Sequence, residues 1–289
     1  MKKKTTLFIG NGLNRLSDHD ASWDALINKL AGHPKTLHEL EVRNAKPFTL
    51  WFEEMSSKNG VKKLKSTISN YLVSSIKPND YHRKIMSLEC ENIITTNYDY
   101  NLENSISGTW VSNNSARETY YSLFRRRSCE KYNIWHIHGE LSSVNSIMLG
   151  HEQYSGYMHK VLSFIKNGVD TQIKGRSGSR YLSRYSPKKA AYKGDTDSWV
   201  DVFLENEVHM IGFSLDYTEN HIWHLITEKK KLKAKKSNIG NIIYHRCSDA
   251  PQAAAEEARL SIIEALGVIV IEHVEASYEK AFDKCIKSL

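Results

Sequence analysis

The sequence predicts an α/β fold: a Rossmann-like, mostly parallel sheet with helices on both faces, plus a helical insertion or lid. Three observations carry that expectation. Short apolar runs rich in β-branched residues alternate with helical stretches along all 289 residues. Four of those runs break off into glycine or a small polar cluster, as parallel strands do where they meet a ligand. The composition, 40% hydrophobic and 25% charged with no repeat or low-complexity tract, supplies a core and fits neither a fibrous nor a disordered chain.

In chain order, "TTLFIG" is a short strand ending on glycine, and "NGLNRLS" turns from it into a helix start. "SWDALINKLAG" has helical spacing at Trp23, Leu26, Ile27 and Leu30, with Ser22 as cap and Gly32 as stop. Residues 36–89 read as amphipathic helices. "CENIITTNYD" gives a second buried strand over Asn92–Thr95, running into a polar loop, and "YNIWHIHG" a third. Residues 150–200 are mixed, basic and Gly/Ser-containing, and read as a basic insertion or lid. "VHMIGFSLD" (208–216) is a fourth strand and "IGNIIYHRCSD" (239–249) a fifth. "AAAEEARLSIIEALG" is a helix, "VIVIEH" a sixth strand and "SYEKAFDKCIKSL" a closing helix. The expected organisation is one domain over residues 1–289.

Lysine and arginine number 40 against 33 acids, a formal charge of +7. The excess is local: "KGRSGSRYLSRYSPKKAAYK" (174–193) holds no acid, and "EKKKLKAKK" (228–236) nearly none. Such runs are ordinarily solvated surface. The sharper reading is contact with nucleic acid, another polyanion or an acidic partner, and Tyr181, Tyr185 and Tyr192 interleave the first run. "MKKKTTLFIGNG" starts basic, but Gly10, Asn11 and Gly12 interrupt its short apolar run, so it does not read as a signal peptide. No stretch approaches the roughly 18 uninterrupted apolar residues of a membrane helix. Cys90, Cys129, Cys247 and Cys285 form no Cys-x-x-Cys pair, which argues against a disulfide framework and a zinc ribbon. The expectation is a cytoplasmic protein without membrane contact.

Parallel strands place their carboxyl ends on one edge, so "GNGLN", "TNYD", "HIHGE" and "GFSLD" are expected to converge there. Gly10 and Gly12 permit positive φ and let phosphate oxygens approach amides at a helix start, although a two-glycine turn also has an ordinary structural use. Asn97 has both donor and acceptor atoms, so it can hold a water and a sugar hydroxyl at once, and Asp99 adds a carboxylate. Both are also favoured turn residues. Gly212 allows close approach, while Ser214 and Asp216 offer groups suited to ribose or phosphate.

"NIWHIHGE" sets two histidines one residue apart. Alternate side chains of an extended segment share a face, so His136 and His138 are expected to point the same way. Three readings stand: a metal-binding pair, one catalytic base beside a bystander, or two core residues. A metal needs three or four ligands, and His209, His221 and His224 carry no metal-like spacing, so no metal is expected. Neutral imidazole is the usual general base near pH 7.

Taken in order, the four clusters resemble the sirtuin superfamily. Its pattern runs Gly-Ala-Gly-x-Ser, Thr-Gln-Asn-Ile-Asp, His-Gly and Gly-Thr-Ser. The chain reads Gly10-Asn11-Gly12-Leu13-Asn14, Thr95-Thr96-Asn97-Tyr98-Asp99, His138-Gly139 and Gly212-Phe213-Ser214-Leu215. It departs from sirtuin deacylases in lacking four zinc-binding cysteines. "LSDHDASW" also replaces their Gly-Ile-Pro-Asp-Phe-Arg segment, and Thr96 and Tyr98 stand in place of Gln and Ile. With "TTNYD" and a Gly-aromatic-Ser-Leu-x-Asp-like run at Gly212–Asp216, it is instead similar to the bacterial sirtuin-like effectors of antiphage systems.

That resemblance implies a regulated NAD⁺ glycohydrolase of abortive infection, with NAD⁺ as substrate and nicotinamide and ADP-ribose as products. It also implies a homo-oligomer and a partner such as a HerA-like ATPase or a short Argonaute. Carried over by position, Gly10, Asn11 and Gly12 hold the pyrophosphate, with Asn14 beside them, and Arg15 and Trp23 line the pocket. Gly212, Ser214 and Asp216 serve ribose or phosphate, and Asp99 orients the carboxamide. Asn97 positions water at the anomeric carbon, and His138 is the base. His136 falls to packing or support. The alternatives are an NAD⁺-dependent deacylase or ADP-ribosyltransferase, and a non-catalytic nucleic-acid-binding or assembly subunit.

Overall fold

Thr5–Ile9 (β1) is buried at every position after the first: Leu7 and Ile9 pack into one apolar cluster, Phe8 into another on the opposite face. A strand covered on both faces needs no polar alternation, which is why "TLFI" shows none. The computed structural model describes residues 4–16, 26, 30–112, 121–173, 176–188 and 197–289. The other strands in chain order are β2 (Asn92–Thr95), β3 (Val111–Ser112), β4 (Arg127–Cys129), β5 (Tyr132–His136), β6 (Val169–Ile173), β7 (Arg176–Tyr181), β8 (Glu207–Ile211), β9 (Ile242–Ser248) and β10 (Ile269–Val274).

Eight of them form one sheet, ordered β10-β9-β8-β1-β2-β5-β4-β3. The run from β10 to β5 is parallel throughout, and β4 and β3 close the far edge antiparallel. This is the predicted α/β class, and all six expected strands are present. β3 and β4 were not expected. They are two and three residues long, largely polar, and at an edge, so they leave no periodic signal.

The helices in chain order are α1 (Leu37–Asn44), α2 (Phe48–Asn59), α3 (Val61–Ser75), α4 (Asp80–Ser87), α5 (Asn101–Asn104), α6 (His151–Lys166), α7 (Trp199–Glu205), α8 (Asn220–Lys233), α9 (Ala254–Ala265) and α10 (Tyr278–Lys287). α6 to α9 cover one face of the sheet and α4, α5 and α10 the other. α2 and α3 build a third apolar cluster with Leu26, Tyr98, Ile147 and Leu149. The helix start expected after β1 is a single 3₁₀ stretch, Asn11–Leu16. Of the helix expected next, Ser22, Trp23 and Ile27 lie outside the described residues, while Gly32 has φ +80°, as a helix stop requires.

Within the segment expected as a basic insertion, described residues of 150–186 pack on the core. α6 buries Tyr154, Tyr157, Val161, Phe164 and Ile165 in the main cluster, a helical spacing masked in the sequence by basic and polar neighbours. β6 and β7 then pair as an antiparallel hairpin. Tyr181 is buried against Phe124, and Tyr185 packs on the same core. Neither ring is free to stack on a base, and Tyr192 lies outside the described residues. In the second basic run Lys229 is buried, and its Nζ donates to the Phe203 and Asn206 carbonyls. It thereby satisfies acceptors that the end of α7 leaves open. Among the described residues no helix is long and apolar enough to cross a membrane.

Candidate active site

The chain leaves β1 toward β2 on one side and returns through β8 on the other, so the loops after these strands part at their carboxyl ends. A cavity of about 430 Å³ opens there, within the range of small-molecule sites. The loops after β1, β2, β5 and β8 all reach it, as their sequences predict. α3 and the residue that follows it add Tyr71, Leu72 and Ile76, and the far strands and helices add Tyr244, Arg246, Arg259 and Tyr278.

Gly10, Asn11, Gly12 and Arg15 line the cavity, but the glycines serve a purpose other than the expected one. Neither Gly10 nor Gly12 has positive φ. A Cβ on Gly10 would sit 2.3 Å from the Gly212 carbonyl oxygen, and one on Gly12 would sit 2.6 Å from Gly212 Cα. Their amides donate to the Ile211 and Gly212 carbonyls, each at 2.9 Å. The two glycines therefore bring two chain segments into backbone contact, with Gly212 at φ +68° completing the fit. These two amides are spent on β8 and its loop, not open to a phosphate.

Asn97 is held by its backbone. Its N–H donates to Thr95 Oγ1 at 3.1 Å, and that hydroxyl donates to the Ile9 carbonyl at 2.9 Å. Its Nδ2 donates to the Gly10 carbonyl at 3.3 Å, tying the second cluster to the first. Asp99 also lines the cavity, but both its oxygens are engaged: Oδ1 by the Asn101 amide at 3.1 Å, Oδ2 by Asn14 Nδ2 at 2.9 Å. Burial raises its pKa above the usual carboxylate range, against those hydrogen bonds. Asn14 does not line the cavity. Its Nδ2 also donates to Asn11 Oδ1, and its Oδ1 accepts from Asn101 Nδ2 at 3.0 Å and His82 Nε2 at 3.1 Å. With every hydrogen-bonding position filled, Asn14 is a brace beneath the site and not a free ligand for a nucleotide.

His136 and His138 do not share a face. β5 ends at His136 and the chain turns through the next two residues to Gly139, at φ +104°, which rotates His138 away. His136 lies buried with Nε2 2.8 Å from Glu103 Oε1 and Nδ1 2.7 Å from the Asn97 carbonyl oxygen. Arg127 flanks the same carboxylate at 3.3 Å. Burial alone would lower the His136 pKa, but the Glu103 carboxylate outweighs it and the net shift is upward. Glu140, the acid that closes the motif, pairs with Arg125 at 3.1 Å and stays out of the cavity wall.

His138 does reach the cavity, and its neighbours come from far along the chain. Its Nε2 is 2.9 Å from His221 Nε2 and 3.3 Å from Glu219 Oε2, and its Nδ1 is 3.4 Å from the Tyr154 hydroxyl. Glu219 caps the start of α8, and His221 sits in its first turn. Burial, then the neighbouring His138, pushes the His221 pKa well below the ordinary imidazole value, so His221 is neutral. Burial first, with Glu219 beside it, drives Tyr154 upward, so its hydroxyl keeps its proton. Glu219 Oε2 is buried without a hydrogen bond, leaving an acceptor beside the His138 ring. His138, Glu219 and His221 hold their donor atoms within 4.8 Å of one another, a spacing that a small divalent cation also fits.

In the fourth cluster Gly212 and Ser214 line the cavity and Asp216 does not. Leu215, at φ +49°, turns the chain so that Asp216 Oδ1 accepts from the Thr218 amide and hydroxyl, each at 2.8 Å. Sequence reasoning missed Glu219, His221, Tyr154, Tyr244, Arg246, Arg259 and Tyr278. Only "TENHIWH" carried a signal, in polar residues opening a helix just past the fourth cluster. Arg246 is held at the wall by Glu256 at 2.9 Å, which with Arg15 and Arg259 gives the cavity three guanidinium groups.

The family profile described as a SIR2-like domain matches residues 91–271, more than half of the chain. A search among curated proteins finds similarity to the NAD(+) hydrolase ThsA of Enterococcus faecium, 24% identical over 158 residues. That match covers 54% of this chain and 32% of the relative, so the chain aligns with about a third of that protein's length.

Proposed function

This chain belongs to the SIR2-like domain family, and from that premise we propose that it hydrolyses NAD⁺ to nicotinamide and ADP-ribose. The observation that carries the reading is the meeting of Asn97 and His138, from the ends of two strands, in one cavity that also holds three guanidinium groups. Similarity to an NAD(+) hydrolase supports the reaction class.

The chemistry asks little of the protein in bond cleavage. Nicotinamide leaves NAD⁺ as a neutral molecule, so the glycosidic bond can open through an oxocarbenium-like state without a strong general acid, and paired carboxylates of the glycosidase kind are not needed. The Asn97 carboxamide holds a water against the anomeric carbon. His138 takes the proton as the C–O bond forms, and Glu219 beside it stabilises the imidazolium. The proton is then released to solvent, which balances NAD⁺ and water against nicotinamide, ADP-ribose and one proton. Arg15, Arg246 and Arg259 suit the pyrophosphate. The finer reading, a regulated antiphage effector acting as a homo-oligomer or with a partner protein, is supported by the motif resemblance alone.

The test is incubation of the purified full chain with NAD⁺, with nicotinamide and ADP-ribose quantified by chromatography. Equimolar release is expected. Nicotinamide release that requires an acylated peptide would instead identify a deacylase.

A further inference from the structure

Three metal-ligating side chains far apart in sequence, His245, His273 and Cys285, meet beneath α10, with Cys247 nearby. His245 and Cys247 alternate along β9 and so share a face, and His273 on β10 is the register partner of Cys247. α10 packs across both strands and brings Cys285 against them. The Cys247 side chain neighbours the Cys285 thiol. His245 Nδ1 lies 3.0 Å from His273 Nε2, and its other nitrogen lies 3.0 Å from His209 Nδ1. His245 and His273 are each 3% exposed and Cys285 is fully buried. The donor atoms of these three lie within 4.8 Å of one another.

We propose that His245, His273 and Cys285 bind one divalent cation of the zinc class. The donor set is the argument. Two imidazole nitrogens and one sulfur are donors that zinc favours, with water able to take a fourth tetrahedral position, whereas magnesium and calcium choose oxygen. Zn–N bonds of about 2.0–2.1 Å and Zn–S bonds of about 2.3 Å place ligand atoms roughly 3.3–3.8 Å apart, so small side-chain rotations bring these three donors, now within 4.8 Å of one another, to that spacing. His209 orients His245 through its second nitrogen, as partners of metal-bound histidines do. The Cys285 thiol gives its proton to solvent as it ligates. Bound there, the cation fastens α10 to β9 and β10, and with it Tyr278, which opens α10 and lines the cavity. The site is independent of the hydrolase reading, and the spacing of its ligands along the chain is why no short motif announced it.

The test is metal analysis of the full chain after loading with Zn²⁺ or Co²⁺ under reducing conditions and gel filtration. About one ion per chain is expected, and Co²⁺ is expected to give thiolate-to-metal absorption in the near ultraviolet. Cys285→Ser, a near-isosteric change, lowers affinity by at least about tenfold and removes that absorption, while Cys90→Ser, outside the cluster, keeps both. Chelation lowers the Tm of the wild type and leaves that of Cys285→Ser unmoved. The proposal is overturned if the folded wild type retains neither ion, or if Cys285→Ser and His273→Gln bind as the wild type does. A Cys247–Cys285 disulfide persisting under reductant overturns it too.

Discussion

His136 Nδ1 lies 2.7 Å from the backbone carbonyl of Asn97. Its other nitrogen faces the Glu103 carboxylate, so both ring nitrogens meet acceptors and the ring carries two protons. The buried Glu103–His136 pair thus fixes the backbone that presents Asn97 to the cavity.

Replacing His136 leaves Glu103 facing only Arg127 in a buried setting. His136→Ala is expected to cost about 3–5 kcal/mol of stability, as loss of one partner of a buried ion pair does, read by urea unfolding. The His136 pKa is raised above the ordinary 6.5 on folding, so its stabilisation is full below 6.5 and lost as pH rises through the folded value. Wild-type stability minus that of His136→Ala should therefore shrink from pH 6 to pH 9. A constant difference would show that the pair is not charged.

His221 acts through His138. With Nε2 atoms 2.9 Å apart, the two rings are joined by a hydrogen bond, and neutral His221 fixes how the His138 ring faces the cavity. His221→Ala should lower kcat by about tenfold or more, with KM little changed, and shift the acidic limb of the kcat profile. A uniform loss of active protein with an unmoved pH profile would reduce His221 to packing.

Gly12 and Asp216 separate backbone fit from ligand contact. Gly12→Ala drives a Cβ to 2.6 Å from Gly212 Cα and should destabilise the fold by about 1–3 kcal/mol. Asp216 is exposed and engaged with Thr218, so Asp216→Ala should change KM by less than about twofold. A large rise in KM for Asp216→Ala would mean that this loop closes on the substrate.

His82 gives the opposite pH dependence to His136. Burial, then the Arg83 charge, lowers it to about 4, and its Nε2–H donates to Asn14 Oδ1. Its contribution is full above 6.5 and is lost as pH falls toward about 4. Stability should fall by up to about 1.4 kcal/mol per pH unit across that window. His82→Gln should flatten the decline, as measured by urea unfolding at pH 7 and 4.5.

The parallel sheet was legible because β1, β2, β5, β8, β9 and β10 are buried runs with polar exits, a pattern that survives without knowledge of their order. The convergence of four loops followed from it. Local chemistry at those loops was less legible. Gly10 and Gly12 look like a phosphate turn, yet their need for glycine comes from Gly212, about 200 residues away. Two-residue periodicity placed His136 and His138 together, but the strand ends between them. Glu219 and His221 lacked any spacing relation to His138, because only the crossing of α8 behind the sheet joins them.

NAD⁺ turnover of wild type, Asn97→Ala and His138→Ala side by side, each first shown to be folded by circular dichroism, decides whether these two side chains carry the reaction. The wild type should release nicotinamide and ADP-ribose in equal amounts, and each variant should lose about 10²–10⁴-fold in kcat. Turnover in both folded variants within about threefold of the wild type would mean that Asn97 and His138 are dispensable and that the reaction, if any, is carried elsewhere.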